Sequence, residues 1–384
     1  LARKTKKRAK KGGGRRYRVL VINWQDVRNP LSGGAEVHCH EIFRRLAEAG
    51  HEVTLLCSRF AGAADEEWID GIRVVRRGGR NWFNFVVPFA YRRLCRRFPF
   101  DLVFDDINKI PFFTPLFVRR PLIAIVHHLF GRSIFLETCF LPASYVYLAE
   151  KLVPWVYRRV PFVCVSESTR LELADSGLTG TIELLPNGVD TGQYRVQKGH
   201  RSRQPLIGYL GRLKKYKSID HLLRAMPSIR DKVAGARLLI IGDGDHRAEL
   251  ERLAVELGLT NAIEFTGAVS HEAKVAALNR LWLAVNPSPK EGWGLTVIEA
   301  NACGIPVVAA DSPGLRDSVR DQVTGLLYPY GDYGALASQV ASLLKNPGRR
   351  QKMSRAAVAW ATSLSWERSA EIAEQLINRV CSKY

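Results

Sequence analysis

The stretch LWLAVNPSPKEGWGLTVIEANACGIPVVAA, residues 281–310, decides how the rest of the chain reads. LWLAVNPSP is a strand running into a loop, Glu291-Gly292-Trp293-Gly294 is a turn, LTVIEANAC is a short helix, and IPVVAA is a buried strand. Such a run of strand, turn, helix and strand is the unit from which open α/β sheets are wound. Glycines at 292 and 294 let backbone N–H groups come close to a ligand, and the helix N-terminus adds partial positive charge; together they suit a phosphate. Glu291 stands just before the helix, and Glu299 lies inside it, some 8 Å along the axis at about 1.5 Å per residue. Two carboxylates so placed can hold hydroxyl groups at either end of a ligand whose diphosphate lies over the helix start. A nucleotide sugar has that layout. The plain alternative makes Glu291 a solvated loop charge and Glu299 a water-facing helix residue.

The same rhythm extends toward both ends. YRVLVIN (17–23) leads into a loop ending in Ser32-Gly33-Gly34 and then a helix, AEVHCHEIFRRLAEAG, that stops at Gly50. HEVTLLC, GIRVV, DLVFD, PLIAIV, PFVCV and TIELL supply further strands, and Ser166 reads as a helix N-cap. After Leu185 the polar, turn-rich PNGVDTGQYRVQKGHRSRQ breaks the pattern. It restarts with PLIGYLG, ARLLIIGDG, AIEFTG, LWLAVNP, IPVVAA and TGLLYP, and from GDYGALASQVASLLKN onward the chain is helical. The expected organisation is a basic tail over 1–16, an α/β domain over 17–190, a linker over 191–205, a second α/β domain over 206–364, and a closing helix over 365–384 that packs back on the first domain. The fold class is α/β: two Rossmann-like, doubly wound domains facing a central cleft, with ligands at the carboxyl ends of the strands.

Composition narrows the function classes. With 384 residues, 46% hydrophobic and 24% charged, the chain can bury a large core, which excludes a disordered protein. Its seven cysteines are scattered and never spaced as CxxC, a pattern that fits a reducing compartment better than a disulfide framework or a structural zinc site. No run of 18 apolar residues occurs and no apolar segment follows the basic N-terminus, so the expected location is the cytoplasm. The net charge of +20 is concentrated at the front, where residues 1–18 hold ten Lys or Arg and no acid. Anionic membranes and nucleic acids both attract such a cluster, and a solvated tail carries it equally well. No helix-turn-helix, zinc-finger or RNA-binding motif accompanies it, which argues against nucleic acid as a partner.

The segment E-G-W-G-L-T-V-I-E followed by A-N-A-C-G-I-P-V-V-A resembles the signature of the retaining GT-B glycosyltransferases of family 4, which carry an E-x7-E motif. The resemblance extends over residues 17 to about 380, with Trp293 standing where phenylalanine is commoner. It implies that Glu291, with the backbone of Gly292, Trp293, Gly294, Leu295 and Thr296, holds the donor sugar and phosphates, and that Glu299 accepts from the ribose hydroxyls. GYLGRLKKYKSID (208–220) resembles the family's G-R-x4-K segment, which assigns the diphosphate to Arg212 and Lys217, with Lys214 and Lys215 as competitors. Ser32-Gly33-Gly34-Ala35-Glu36 resembles the glycine-rich loop after the first strand, so Gly33 and Gly34 are expected near the donor phosphate or the acceptor. His127 is similar to the family's active-site histidine, with His128 as the alternative register, and base recognition falls near FTGAVSH, at Val269. The implied catalytic set is His127, Glu291, Arg212 and Lys217.

Breaking the bond between sugar and nucleotide builds negative charge on the diphosphate and positive charge on the sugar ring. Fixed cations and helix N–H groups aimed at the diphosphate stabilise that state more than the ground state, and they can stand in for a metal. No metal or other cofactor is expected, and Asp243-Gly244-Asp245 reads as a turn and helix cap rather than a metal site. NWFNFVVPFAYRRLCRRFPF (81–100) and FLPASYVYLAEKLVPWVYRR (140–159) mix aromatic and apolar residues with arginines, as segments lying on an anionic membrane do, although the same residues can simply cover a core. The expected partners are therefore a nucleotide sugar, a lipid-linked glycan or glycolipid acceptor, and the inner face of a membrane. The alternatives are a nucleotide-sugar 2-epimerase of the same fold and a basic nucleic-acid binder.

Overall fold

The computed structural model describes residues 15–108 and 110–383; most of the tail expected over 1–16, namely 1–14, lies outside the described residues. The chain forms two compact units. One runs to Ile125 and takes in the stretch from Ala370, and the other is Val126–Ser369.

The first unit contains β1 (Arg18–Ile22), α1 (Gly34–Glu48), β2 (Glu52–Arg59), β3 (Glu66–Ile69), β4 (Ile72–Gly79), α2 (Phe83–Arg97), β5 (Leu102–Ile107) and β6 (Leu122–Val126), at whose last residue the second unit begins. Strands run in the order β3-β4-β2-β1-β5-β6. β1 pairs in parallel with β2 and β5, and β2 with β4, as continuous apolar runs such as VLVI and LVF require of strands buried on both faces. β3 was not expected. It returns antiparallel on β4 through Asp70-Gly71, both at positive φ (46° and 81°), which is the backbone of a tight hairpin turn.

The second unit begins with α3 (Phe140–Val156), then β7 (Phe162–Cys164), α4 (Glu167–Asp175, capped by Ser166) and β8 (Ile182–Leu184), parallel to β7. Then come β9 (Leu206–Leu210), α5 (Ile219–Lys232), β10 (Arg237–Ile241), α6 (Arg247–Glu256), β11 (Ile263–Phe265), α7 (His271–Arg280), β12 (Leu283–Asn286), α8 (Leu295–Ala302), β13 (Val307–Ala310), α9 (Leu315–Ser318) and β14 (Gly325–Tyr328). The helices α10 (Tyr333–Lys345), α11 (Pro347–Thr362) and α12 (Trp366–Cys381) close the chain, the last crossing into the first unit. Six parallel strands stand in the order β11-β10-β9-β12-β13-β14. Strand order therefore reverses between β9 and β12, and outside the carboxyl ends of such a pair an open α/β sheet leaves room for a ligand.

The stretch expected as a linker has no helix or strand over 191–205, but it is not free chain. Tyr194 is buried in the core of the second unit, and a Cβ at Gly188, just before it, would lie 2.4 Å from the backbone nitrogen of Trp366.

Candidate functional site

Two loops flank the reversal point, one after β9 and one after β12, and they carry most of the residues singled out in the sequence. The β9 loop ends in a 3-10 turn, Lys215–Lys217, closed by Ser218 at φ 51°. From this turn Lys217 reaches the β12 loop, and its ammonium donates to Oε1 of Glu291 at 2.6 Å, both side chains being largely shielded from solvent. Burial pulls the Lys217 ammonium toward neutrality, but the Glu291 carboxylate outweighs it and the pKa lies above the ordinary lysine value. Arg212, earlier on the same loop, is exposed, and no acid pairs with its guanidinium among the described residues. Of the two competing lysines, Lys214 is taken by Asp245 at 2.6 Å.

Glu291 stands immediately before α8, whose N-cap is Gly294 at φ 89°, a conformation that favours glycine. Of the first N–H groups of that helix, that of Val297 donates to the Gly294 carbonyl at 2.9 Å, and the earlier ones add partial positive charge at the helix start. Gly292 has a reason in the protein itself besides the one expected for it. A Cβ there would lie 2.7 Å from the carbonyl oxygen of His127, so the glycine is required by the close approach of two loops of the protein itself. Gly314 plays the same part against the Glu291 carbonyl, which a Cβ would meet at 2.1 Å. Trp293 is core rather than ligand surface, and its indole N–H has no acceptor among the described residues. Leu295 and Thr296, the first helical residues, are half-buried.

Glu299 is buried inside α8, not water-facing. Its Oε1 accepts from the Tyr194 hydroxyl at 2.6 Å and from the Lys274 ammonium at 3.0 Å, while Oε2 has no partner among the described residues. Sequence reasoning missed both partners. Lys274 lies on α7, and Val269 is on the loop just before that helix, exposed.

The histidine doublet divides its parts. His127 is buried and its carbonyl meets Gly292, whereas the half-buried His128 ring lies edge-on to Phe130 at 4.5 Å. Burial, followed by the charges of Lys290, His127, Lys217 and Arg212, pushes the His128 pKa down to about 3, so this imidazole is neutral. Lys290, next to Glu291, makes a two-oxygen ion pair with Glu172 of α4 at 2.9 and 3.0 Å, another partner the sequence did not reveal. Gly33 and Gly34 belong to the first unit, where the backbone N–H of Gly33 donates to Glu36 at 2.7 Å and Asn108 donates to the other oxygen of that carboxylate at 2.6 Å.

Asp243-Gly244-Asp245 forms the turn between β10 and α6. Asp243 accepts from the Gly244 N–H at 2.8 Å, and Cβ atoms at Gly242 and Gly244 would strike the carbonyls of Gly211 and Leu213 at 2.1 and 2.2 Å. The turn thus fastens the loop that carries Arg212. Among the described residues no group of three or more His, Cys, Asp or Glu is placed to hold a metal ion.

Comparison with known proteins identifies the family. Residues 190–360 match the family model for glycosyl transferases group 1, and residues 32–193 match that for glycosyltransferase family 4. The chain belongs to the group 1 glycosyltransferases. A GDP-mannose-dependent alpha-(1-6)-phosphatidylinositol monomannoside mannosyltransferase of Mycolicibacterium smegmatis is 33% identical over 56% of this chain and 61% of its own length, so the chain spans less than two thirds of that relative. A glycogen synthase of Mycobacterium tuberculosis is 26% identical over 94% of each chain. Among solved structures, a sucrose-phosphate synthase from Thermosynechococcus elongatus superposes with a TM-score of 0.83 at 21% identity, covering 96% of this chain and 100% of that one. The fold is that of the GT-B glycosyltransferases, as expected from the sequence. Among the described residues no helix is long and apolar enough to cross a membrane.

Proposed function

We propose that this chain moves a sugar from a nucleoside diphosphate donor to an acceptor hydroxyl with retention of anomeric configuration, and that the acceptor is a lipid-linked glycan or glycolipid at the cytoplasmic face of an anionic membrane. One observation carries the reading: at the point of strand reversal, Lys217 is ion-paired with Glu291 directly before the N-terminus of α8, with Arg212 on the same loop as Lys217. As the sugar–phosphate bond breaks, charge on the departing diphosphate is met by Lys217, Arg212 and the helix N–H groups. Glu291, oriented by its ion pair, accepts from a sugar hydroxyl through Oε2, and Glu299, oriented by Tyr194 and Lys274, accepts from the ribose through its own Oε2. In this reading the positive charge comes from the protein, and no metal or other cofactor takes part. Retention follows when the acceptor hydroxyl attacks from the face the nucleotide leaves and passes its proton to the departing phosphate oxygen. Gly33 and Gly34 are assigned to the donor phosphate or the acceptor.

Two features support a lipid acceptor. Trp82, Phe85 and Phe89 are exposed at and near the start of α2, followed on the same helix by exposed Arg92, Arg93 and Arg96. The mycobacterial relative is named for action on a phosphatidylinositol monomannoside. The test is a thermal-shift and hydrolysis screen over UDP-, GDP- and ADP-sugars. A donor at a hundredfold excess over its Kd adds about 2.7 kcal/mol of stability, so one nucleotide series stands out. No shift with any donor overturns the reading, and epimerised sugar formed without acceptor replaces it with an epimerase.

A further inference from the structure

Helix α3 is built inside out. Its buried positions are small, Ala143, Val146, Ala149 and Val153, whereas Leu141, Tyr145, Leu148, Leu152 and Trp155 face solvent at 79, 39, 61, 50 and 85% exposure. Their spacing of four, three, four and three residues puts them on one stripe of the helix, and Phe140, 72% exposed, extends it. An ordinary surface helix has the opposite pattern, and a continuous apolar stripe of this kind marks a contact surface. Exposed cations lie around it at Arg132, Lys151, Arg158 and Arg159. Glu150, the one acid on the helix, is turned away from the stripe.

Its two carboxylate oxygens accept the backbone N–H groups of Phe130 and Gly131 at 2.7 and 2.8 Å. Those residues follow His127 and His128 after Leu129 alone. The next segment, the 3-10 turn Gly131–Leu136, packs against the 3-10 turn Lys215–Lys217 that carries the ion-paired Lys217. A single side chain of α3 therefore clamps the loop that connects the histidines to the lysine turn.

We propose that the apolar stripe of α3 docks on an anionic lipid surface and that Glu150 is the positioning residue through which docking fixes the loop from His127 to Leu136. The proposal rests on the lipid-linked acceptor reading above. Charge complementarity favours lipid over a second copy of the chain, because a cation-rimmed stripe brought against its own copy sets like charges together, whereas anionic headgroups pair with arginine and lysine while the acyl region receives leucine and tryptophan. Rigid loops hold a reacting group better than mobile ones, so fixing this loop from outside raises turnover more than donor affinity.

The experiment combines vesicle flotation with hydrogen exchange over residues 127–136. Phosphatidylglycerol vesicles are expected to bind the wild-type protein, phosphatidylcholine vesicles not to, and the double variant Leu148→Ser/Trp155→Ser to bind about tenfold more weakly or worse. Anionic vesicles are expected to slow exchange of the loop amides and raise kcat with little change in donor KM. Glu150→Gln, which keeps one acceptor oxygen, is expected to float like the wild type but show neither effect. Equal flotation of the double variant overturns the surface, as does a concentration-dependent dimer that this variant abolishes while vesicles go unbound. Vesicle-induced protection that survives in Glu150→Gln overturns the coupling. Loss of sugar transfer is a separate outcome: if no donor is turned over with or without vesicles, the transferase reading fails, while flotation and exchange still decide the role of α3.

Discussion

Lys217 and Glu291 form an ion pair largely shielded from solvent, and that pairing sets what single substitutions do. Removing the lysine leaves a shielded carboxylate beside the position proposed for the diphosphate, so Lys217→Met is expected to lower kcat by about 10²–10³, the range for loss of one group that meets developing charge. Glu291→Ala is expected to act mainly on kcat and Glu299→Ala mainly on donor KM, because the proposed reading gives the first the reacting sugar and the second the remote ribose; steady-state kinetics in which both variants match the wild type would remove the site. The raised Lys217 pKa has a definite sign. A lysine held above its ordinary value contributes fully below about 10.4 and loses its contribution as pH rises through the folded-state value, so the pair persists through the neutral range. His128 runs the other way. With its pKa near 3 against about 6.5 unfolded, the unfolded chain takes up the proton first, and stability falls as pH drops below about 6.5 toward the folded-state value. NMR of the His128 ring is expected to show no titration between pH 8 and about 4.5; a midpoint near 6 would remove the cationic surroundings described for it.

At the scale of elements, what the sequence made legible follows from how local each signal is. Strands β1, β2, β5, β9, β10 and β13 announce themselves as short apolar runs bounded by turns, and α8 as a helix behind a glycine turn. β3 did not, because Glu66-Glu67-Trp68-Ile69 lacks the apolar alternation of a strand and gains its place only by pairing with β4. The partners of the site escaped for the same reason. Tyr194 and Glu299 are 105 positions apart, and Lys290 and Glu172 are 118 apart, so no spacing rule links them. Gly292 was legible as a necessary glycine but not for its cause, since nothing local predicts the His127 carbonyl. The buried ion pair of the first unit is of this kind too. Arg76 on β4, with no exposed side-chain surface, donates to both oxygens of Asp26 at 2.7 and 3.0 Å. Burial alone would raise the Asp26 pKa, yet the hydrogen bonds from Arg76 hold it below the ordinary value. Arg76→Ala leaves that carboxylate buried and unpaired and is expected to cost about 3–5 kcal/mol by denaturant unfolding, whereas an exposed pair such as Arg59–Asp65 is expected to cost under about 1 kcal/mol.

For the whole molecule, the division into two units turns these local effects into a single measurement. The six-stranded sheet β11-β10-β9-β12-β13-β14 lies within Val126–Ser369, and so do the residues assigned to the diphosphate and ribose, Arg212, Lys217, Glu291 and Glu299. Chains with more than one core need not unfold in one step, so calorimetry is expected to show two transitions. A nucleoside diphosphate that binds the folded second unit as proposed, and not its unfolded form, is expected to raise that unit's transition in proportion to the logarithm of ligand concentration and to leave the other in place. Arg76→Ala is expected to do the converse, lowering only the transition of the unit that ends at Ile125 and resumes at Ala370. The two perturbations thereby label the two peaks independently. The continuous helix α12, Trp366–Cys381, is one element able to spoil this separation, because it begins in one unit and ends in the other. A single transition that both nucleotide and Arg76→Ala displace together would mean that α12 makes the units one cooperative body; a glycine pair within its exposed face would then be expected to split the peak in two.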